Sequence, residues 1–146
     1  MAHGLAEREP RVGAAEQARV VALREAMRVL LLANNEVHDA AGERRAARVL
    51  DDAAAAARLR IRFREGGDAG LEPEAGGVDG ALGRLLAIVA GAMEDGTWER
   101  LKACRAGDCQ WAFYDCAKNQ SRAWCSMKVC GNREKARRFR AQHAHE

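Results

Sequence analysis

Four cysteines stand in two matched pairs, Cys104 with Cys109 and Cys125 with Cys130, each pair enclosing four residues. Fifteen residues separate the pairs. Each pair must turn the chain sharply enough for two sulfurs to converge, and the two pairs must then face one another. The segment around them holds few aliphatic side chains and cannot close a hydrophobic core of ordinary size. Four thiolates on one Zn²⁺ ion supply the missing cross-link, because that metal prefers a closed tetrahedral set in structural sites. Such a set leaves no position for water or substrate, so the expected role of the metal is structural.

Disulfides are the competing reading. The chain has five cysteines, an odd number, and no apolar N-terminal stretch of the secretory kind. Both features point to a reducing, cytoplasmic compartment, where clustered cysteines hold metal more often than they pair. Cys116, between the pairs, reads as a small, partly buried side chain rather than a redox centre. His143 and His145 are capable ligands, but four cysteines already fill the site. Residues Arg105 to Asp108 supply the first turn, with Gly107 suited to positive φ. In the second pair, Cys130-Gly131-Asn132 leads into a helix that Asn132 is suited to cap. Knuckle first and helix last predicts a treble-clef-like finger, with Trp111, Phe113 and Trp124 as its small core.

Charge is segregated. Residues 100–146 carry eleven Lys/Arg against four Asp/Glu, whereas residues 1–99 carry thirteen against seventeen. The whole-chain net of +3 conceals a basic end joined to an acidic one, the electrostatic footprint of a nucleic-acid binder. The last helix, expected over about residues 133–143, places Ala136, Phe139 and His143 on an inward stripe. Arg133, Arg137 and Arg140 share another face, flanked by Lys135 and Arg138, with Lys118, Arg122 and Lys128 extending the patch. Arginines so placed bridge phosphates or read guanine edges.

The stretch from Trp124 to Arg133 resembles the CGNR zinc finger family, whose signature stands here as Cys130-Gly131-Asn132-Arg133. The likeness covers roughly residues 98–140. It takes in the run from Trp98 to Lys102, Asp108-Cys109-Gln110-Trp111, Phe113-Tyr114-Asp115, Asn119, Ser121-Arg122 and Lys135. Cys116-Ala117 departs from the family, which carries hydroxyl or basic residues there. The resemblance implies a DNA-binding module of a bacterial transcription regulator.

Upstream, periodicity predicts helices over about residues 14–33, 43–57 and 79–93. Their expected inward residues are Val20, Leu23, Met27, Leu30 and Leu31; then Ala47, Leu50, Ala54 and Ala57; then Leu82, Leu85, Leu86, Val89 and Met93. Leu59, Ile61 and Phe63 alternate with Arg58, Arg60, Arg62 and Arg64, the period of a strand, and the Gly66-Gly67-Asp68 turn completes a hairpin. Glu65, Glu72 and Glu74 are placed to pair with those arginines. Asn34, Asn35 and His38 fall in a polar loop. This region resembles, more weakly, the latter part of the stress-linked regulatory (ABATE-like) domain found with such fingers. That resemblance rests on residues 22–27, the Arg-rich strand and Trp98. The family's preceding strand is missing, so a partner chain supplies it or the sequence is a shortened version.

The expected fold is therefore α+β: a mainly helical domain with a small antiparallel hairpin over residues 1–97, and a four-cysteine zinc finger ending in a basic helix over residues 98–146. The expected function is zinc-dependent binding of double-stranded DNA, with a homodimer possible and any small-molecule effector unidentified. Protein docking and RNA binding through the same finger are the alternatives, and zinc-thiol sensing through Cys116 a weaker one. No catalytic triad, phosphate-cradling glycine motif or open metal site suggests an enzyme, and no apolar run suggests a membrane span.

Overall fold

The structure, a computed structural model, describes residues 12–143. Helices α1 (Ala14–Ala33) and α2 (Ala40–Ala57) pack on each other, and the hairpin β1 (Leu59–Phe63) and β2 (Ala69–Pro73) leads into α3 (Gly77–Glu94). A single 3₁₀ turn, Trp98–Arg100, opens the finger. There β3 (Leu101–Ala103) and β4 (Ala112–Tyr114) pair antiparallel, a π turn (Met127–Gly131) follows, and α4 (Asn132–Gln142) comes last. The fold is α+β, as expected, with helix boundaries within three residues of the periodicity reading. No helix of the described residues is long and apolar enough to cross a membrane.

Leu23 of α1 and Val78, Leu82 and Leu86 of α3 form the buried centre, with Met27, Val49, Leu50 and Leu59 packed around it. Three inward expectations fail. Val20 and Met93 are exposed, and on α2 Ala46 is buried along with the expected Ala57, whereas Ala47 is exposed. A helix this rich in alanine packs closely on either side of its stripe, so side-chain size does not fix the register.

The close approach of α3 to the hairpin depends on Gly83. A Cβ there lies 2.6 Å from the Ala57 Cβ and 2.8 Å from the Pro73 Cβ, with Leu59 Cδ2 at 3.5 Å. Gly83→Ala must push the base of the hairpin off α3. Overpacking of this kind is expected to cost about 1–3 kcal/mol, read as a lowered urea midpoint at unchanged slope; an unchanged midpoint refutes the contact.

The hairpin keeps the expected alternation but covers only its base. Leu59 pairs with Pro73, Ile61 with Leu71 and Phe63 with Ala69 on one face, and the first of these pairs packs against Gly83 of α3. Ile61 is 62% and Phe63 84% exposed. On the other face Arg60 and Arg62 pair with Glu74, and Arg64 pairs with Glu72 and Asp68. Asp68 takes the place expected of Glu65. These surface pairs contribute little to stability.

Asn34 and Asn35 are not an idle loop. Beyond the end of α1, the Asn34 Nδ2 donates to the Trp98 and Leu101 carbonyls at 2.8 and 2.9 Å. The buried Asn35 Nδ2 donates to those of Ala103 (2.8 Å) and Ala123 (2.9 Å). Arg105 Nε returns a bond to the Asn35 carbonyl at 2.7 Å, and Arg28 Nη1 reaches the Gln110 carbonyl at 2.7 Å. Two side-chain amides thus satisfy four finger carbonyls and join the helical body to both strand ends of the finger.

Candidate metal centre

Cys104 follows β3, and its amide donates to the Trp111 carbonyl at 3.0 Å, closing the knuckle at its strand end. Inside the knuckle the Cys109 and Gln110 amides both donate to the Ala106 carbonyl, at 2.9 and 3.1 Å. The left-handed residue is Gln110 (φ 48°) and not Gly107. The reversal comes after Cys109, where the chain must enter β4, rather than between the ligands.

The second pair sits at the root of α4. Ser126 is extended, and its Oγ accepts from the Val129 amide at 3.3 Å. The Gly131 amide reaches back to the Ser126 carbonyl at 3.1 Å, a wide turn that holds Cys130 beside Cys125. Ser126, not Asn132, is therefore the cap. Asn132 is already helical, and its Nδ2 donates to the Lys128 carbonyl at 3.2 Å.

The four sulfurs lie within 4.8 Å of one another. The Cys109–Cys125 and Cys125–Cys130 separations are both 3.7 Å. A tetrahedron with Zn–S bonds of about 2.3 Å has edges of about 3.8 Å, so the donor set matches zinc in type, number and spacing. Cys104 and Cys130 are buried, Cys109 and Cys125 half-buried. Burial pushes the Cys130 thiol up to about 12 and raises that of Cys125. The Trp111 amide, donating to Cys109, lowers its thiol against burial. Four sulfurs converging in this way need a cation to ionise together, and the ion, when bound, supplies the cross-link between knuckle and helix. His143 does not contribute: its ring stacks on Phe139 at 4.1 Å and its Nδ1 faces the Phe139 carbonyl. His145 lies outside the described residues.

Fold and site together define a four-cysteine zinc finger in which zinc is structural. Residues 100–143 match the CGNR zinc finger family model. No curated protein matches the chain.

The cations assigned to nucleic acid divide into two groups. Arg133 Nη2 pairs with Asp108 at 2.8 Å, and Arg137 pairs with Asp108 at 3.5 Å and with Glu134 at 2.7 Å. Arg122 donates to the Cys125 carbonyl at 2.7 Å and lies 5.2 Å from the centre of the Phe113 ring. These three are engaged within the finger. Arg140 Nε donates to the Ala136 carbonyl at 3.3 Å but has no acidic partner among the described residues. Lys118, Lys128, Lys135 and Arg138 have no partner among the described residues.

Three further expectations are corrected. Phe113 and Trp124 do pack against the cysteines, but Trp111 is 71% exposed beside α1. The inward stripe of α4 does not exist: the helix buries no residue, and Phe139 is 62% exposed. Cys116 is exposed, not partly buried.

Sequence reasoning also missed Asp115. Buried beneath β4, its carboxylate accepts from Lys102 Nζ and from the Ala117 and Arg122 amides, each at 3.0 Å. Lys102 also donates to the Gln120 carbonyl. Burial alone would push this carboxyl up. The Lys102 ammonium and the two amides outweigh it and hold the group below the usual carboxylate range. An Asp directly after a strand, with Lys one position inside its partner strand, was the available signal.

Proposed function

We propose that this finger binds double-stranded DNA through α4 and the π turn before it, as part of a cytoplasmic transcription regulator in which zinc organises the site and catalyses nothing. One observation carries the reading: α4 buries no residue, yet it stands fixed on the metal centre and carries Lys135, Arg138 and Arg140, with Lys128 beside its root. A helix that buries nothing gains little from the protein's own core, and its free cations are available to phosphates. The segregation of positive charge into residues 100–146 supports the same partner. α1 to α3 serve as the regulatory and dimerising part.

The test is duplex binding by the zinc-loaded chain across a salt series. Log affinity should fall linearly with log salt, as counterions leave the duplex. Lys135→Ala with Arg138→Ala should weaken all sequences alike and reduce the magnitude of the slope by about 2. An unchanged slope in that variant removes α4 from the interface. The exposed Trp111, Val129 and Phe139 favour a second reading, docking on a protein partner. Salt-insensitive association with a protein, and no duplex binding at low salt, would select it. Preference for structured RNA over duplex in competition selects RNA binding instead.

A further inference from the structure

We infer that Arg133 belongs to the metal centre rather than to the nucleic-acid surface, as a positioning residue that donates to the Cys130 sulfur and ties the first cysteine pair to the second. Its Nη2 lies 3.6 Å from Cys130 Sγ and 2.8 Å from Asp108 Oδ1. Asp108 immediately precedes Cys109 in the knuckle, and Arg133 stands three residues beyond Cys130 on the first turn of α4. One guanidinium thus spans both halves of the ligand set.

The chemistry of the tetrad gives this contact its purpose. Four thiolates on a divalent ion carry a net charge of about −2, and Cys130 is among the most buried of the four. Excess negative charge on a buried sulfur is costly unless a donor meets it. At Cys109 the Trp111 amide is that donor; at Cys130 the Arg133 N–H takes the equivalent place. The guanidinium suits the task because its planar fork offers several donors in fixed directions, enough for a sulfur and a carboxylate together. Asp108 in turn holds the fork, and through the longer contact to Arg137 it anchors a helix that buries nothing of its own. Partners that orient metal ligands act in this way in other centres, where their loss costs about 10- to 100-fold in metal affinity.

The test compares zinc-loaded full-length chains: the unsubstituted protein, Arg133→Ala, Arg133→Lys, Asp108→Asn, and Lys135→Ala with Arg138→Ala as a charge control. Zinc transfer to a colorimetric chelator should be about 10- to 100-fold faster in Arg133→Ala. Arg133→Lys should fall between, since lysine keeps the charge and loses the fork. Asp108→Asn should accelerate release less than Arg133→Ala, and the control should not change it. In the cadmium-substituted proteins, the cadmium NMR resonance should move in both Arg133 variants and stay in place in the control, because only the former alter a donor on a ligand sulfur. Should Arg133→Ala fail to fold, Arg133→Lys and Asp108→Asn carry the comparison. Zinc release within about twofold of the parent in Arg133→Lys, with an unmoved resonance, overturns the assignment, since replacing the donor on a ligand sulfur is worth more than that. So does normal zinc retention in Arg133→Ala with weakened duplex binding, which would return the residue to the surface. No arm of the zinc measurement depends on DNA being the partner.

Discussion

Stripping the zinc-loaded protein with a chelator, or replacing a ligand with Cys130→Ser, is expected to unfold the finger and leave the α1–α3 core standing. The buried centre of Leu23, Val78, Leu82 and Leu86 includes no residue of the finger. The finger's own cluster is three cysteine- and alanine-sized residues, Cys104, Ala106 and Cys130, edged by Phe113 and Trp124. That is too little apolar area to hold β3, β4 and α4 together without the metal, whose binding to such sites is worth on the order of 10 kcal/mol near neutral pH. α4 has most to lose, since it buries no side chain. Far-ultraviolet circular dichroism should lose the α4 contribution, and amide exchange should accelerate in β3, β4 and α4 while α3 stays protected. Near-ultraviolet signals from Trp124 that survive complete chelation would sink this account.

Acid should act in the same direction. In the metal-free site the Cys125 and Cys130 thiols lie above the ordinary thiol range, because burial disfavours their ionised forms. They are therefore protonated at neutral pH, and binding zinc must expel those protons. Zinc affinity should rise as the pH increases through neutrality and fall on acidification, a sign that a zinc titration at several pH values reads directly.

The parts of this molecule legible in the sequence are those whose chemistry is local. Cysteine spacing is one, since ligand geometry demands it whatever surrounds the site. Helical periodicity is another, and it located all three body helices. The alternation of Leu59, Ile61 and Phe63 correctly defined the two faces of the hairpin, but alternation cannot say whether anything covers an apolar face, and Phe63 is largely uncovered. The failures share a cause, dependence on distant partners. Asn132 has the composition of a cap, yet the wide turn closed by Gly131 and Ser126 starts the helical path earlier. The helical spacing of Arg133 and Arg137 shows the face they share, but not that Asp108, in the distant knuckle, pairs with both. Asn34 and Asn35 look like loop residues until the finger carbonyls they satisfy are in place.

Asp115→Ala should be the most destabilising single substitution that leaves the metal ligands intact. Asp115 is fully buried and Lys102 nearly so. Removing the carboxylate leaves a buried ammonium with only the Gln120 carbonyl for company, and it orphans the Ala117 and Arg122 amides. Breaking a buried pair from one side costs about 3–5 kcal/mol, against about 1 kcal/mol for an ordinary hydrogen bond. Lys102→Met should cost less, because the aspartate keeps its two amide donors and the methionine fills the lysine's space. The double variant should be less harmful than the sum of the two, as a double-mutant cycle in urea would show. The pH dependence has a definite sign. Asp115 has a folded-state pKa below its unfolded value, so its stabilisation is fully present above about pH 4, the ordinary carboxylate value. It is lost as the pH falls through the depressed folded-state pKa. Equal costs for Asp115→Ala and Lys102→Met, with additive effects in the double variant, would mean that the buried pair does not hold the strands of the finger together.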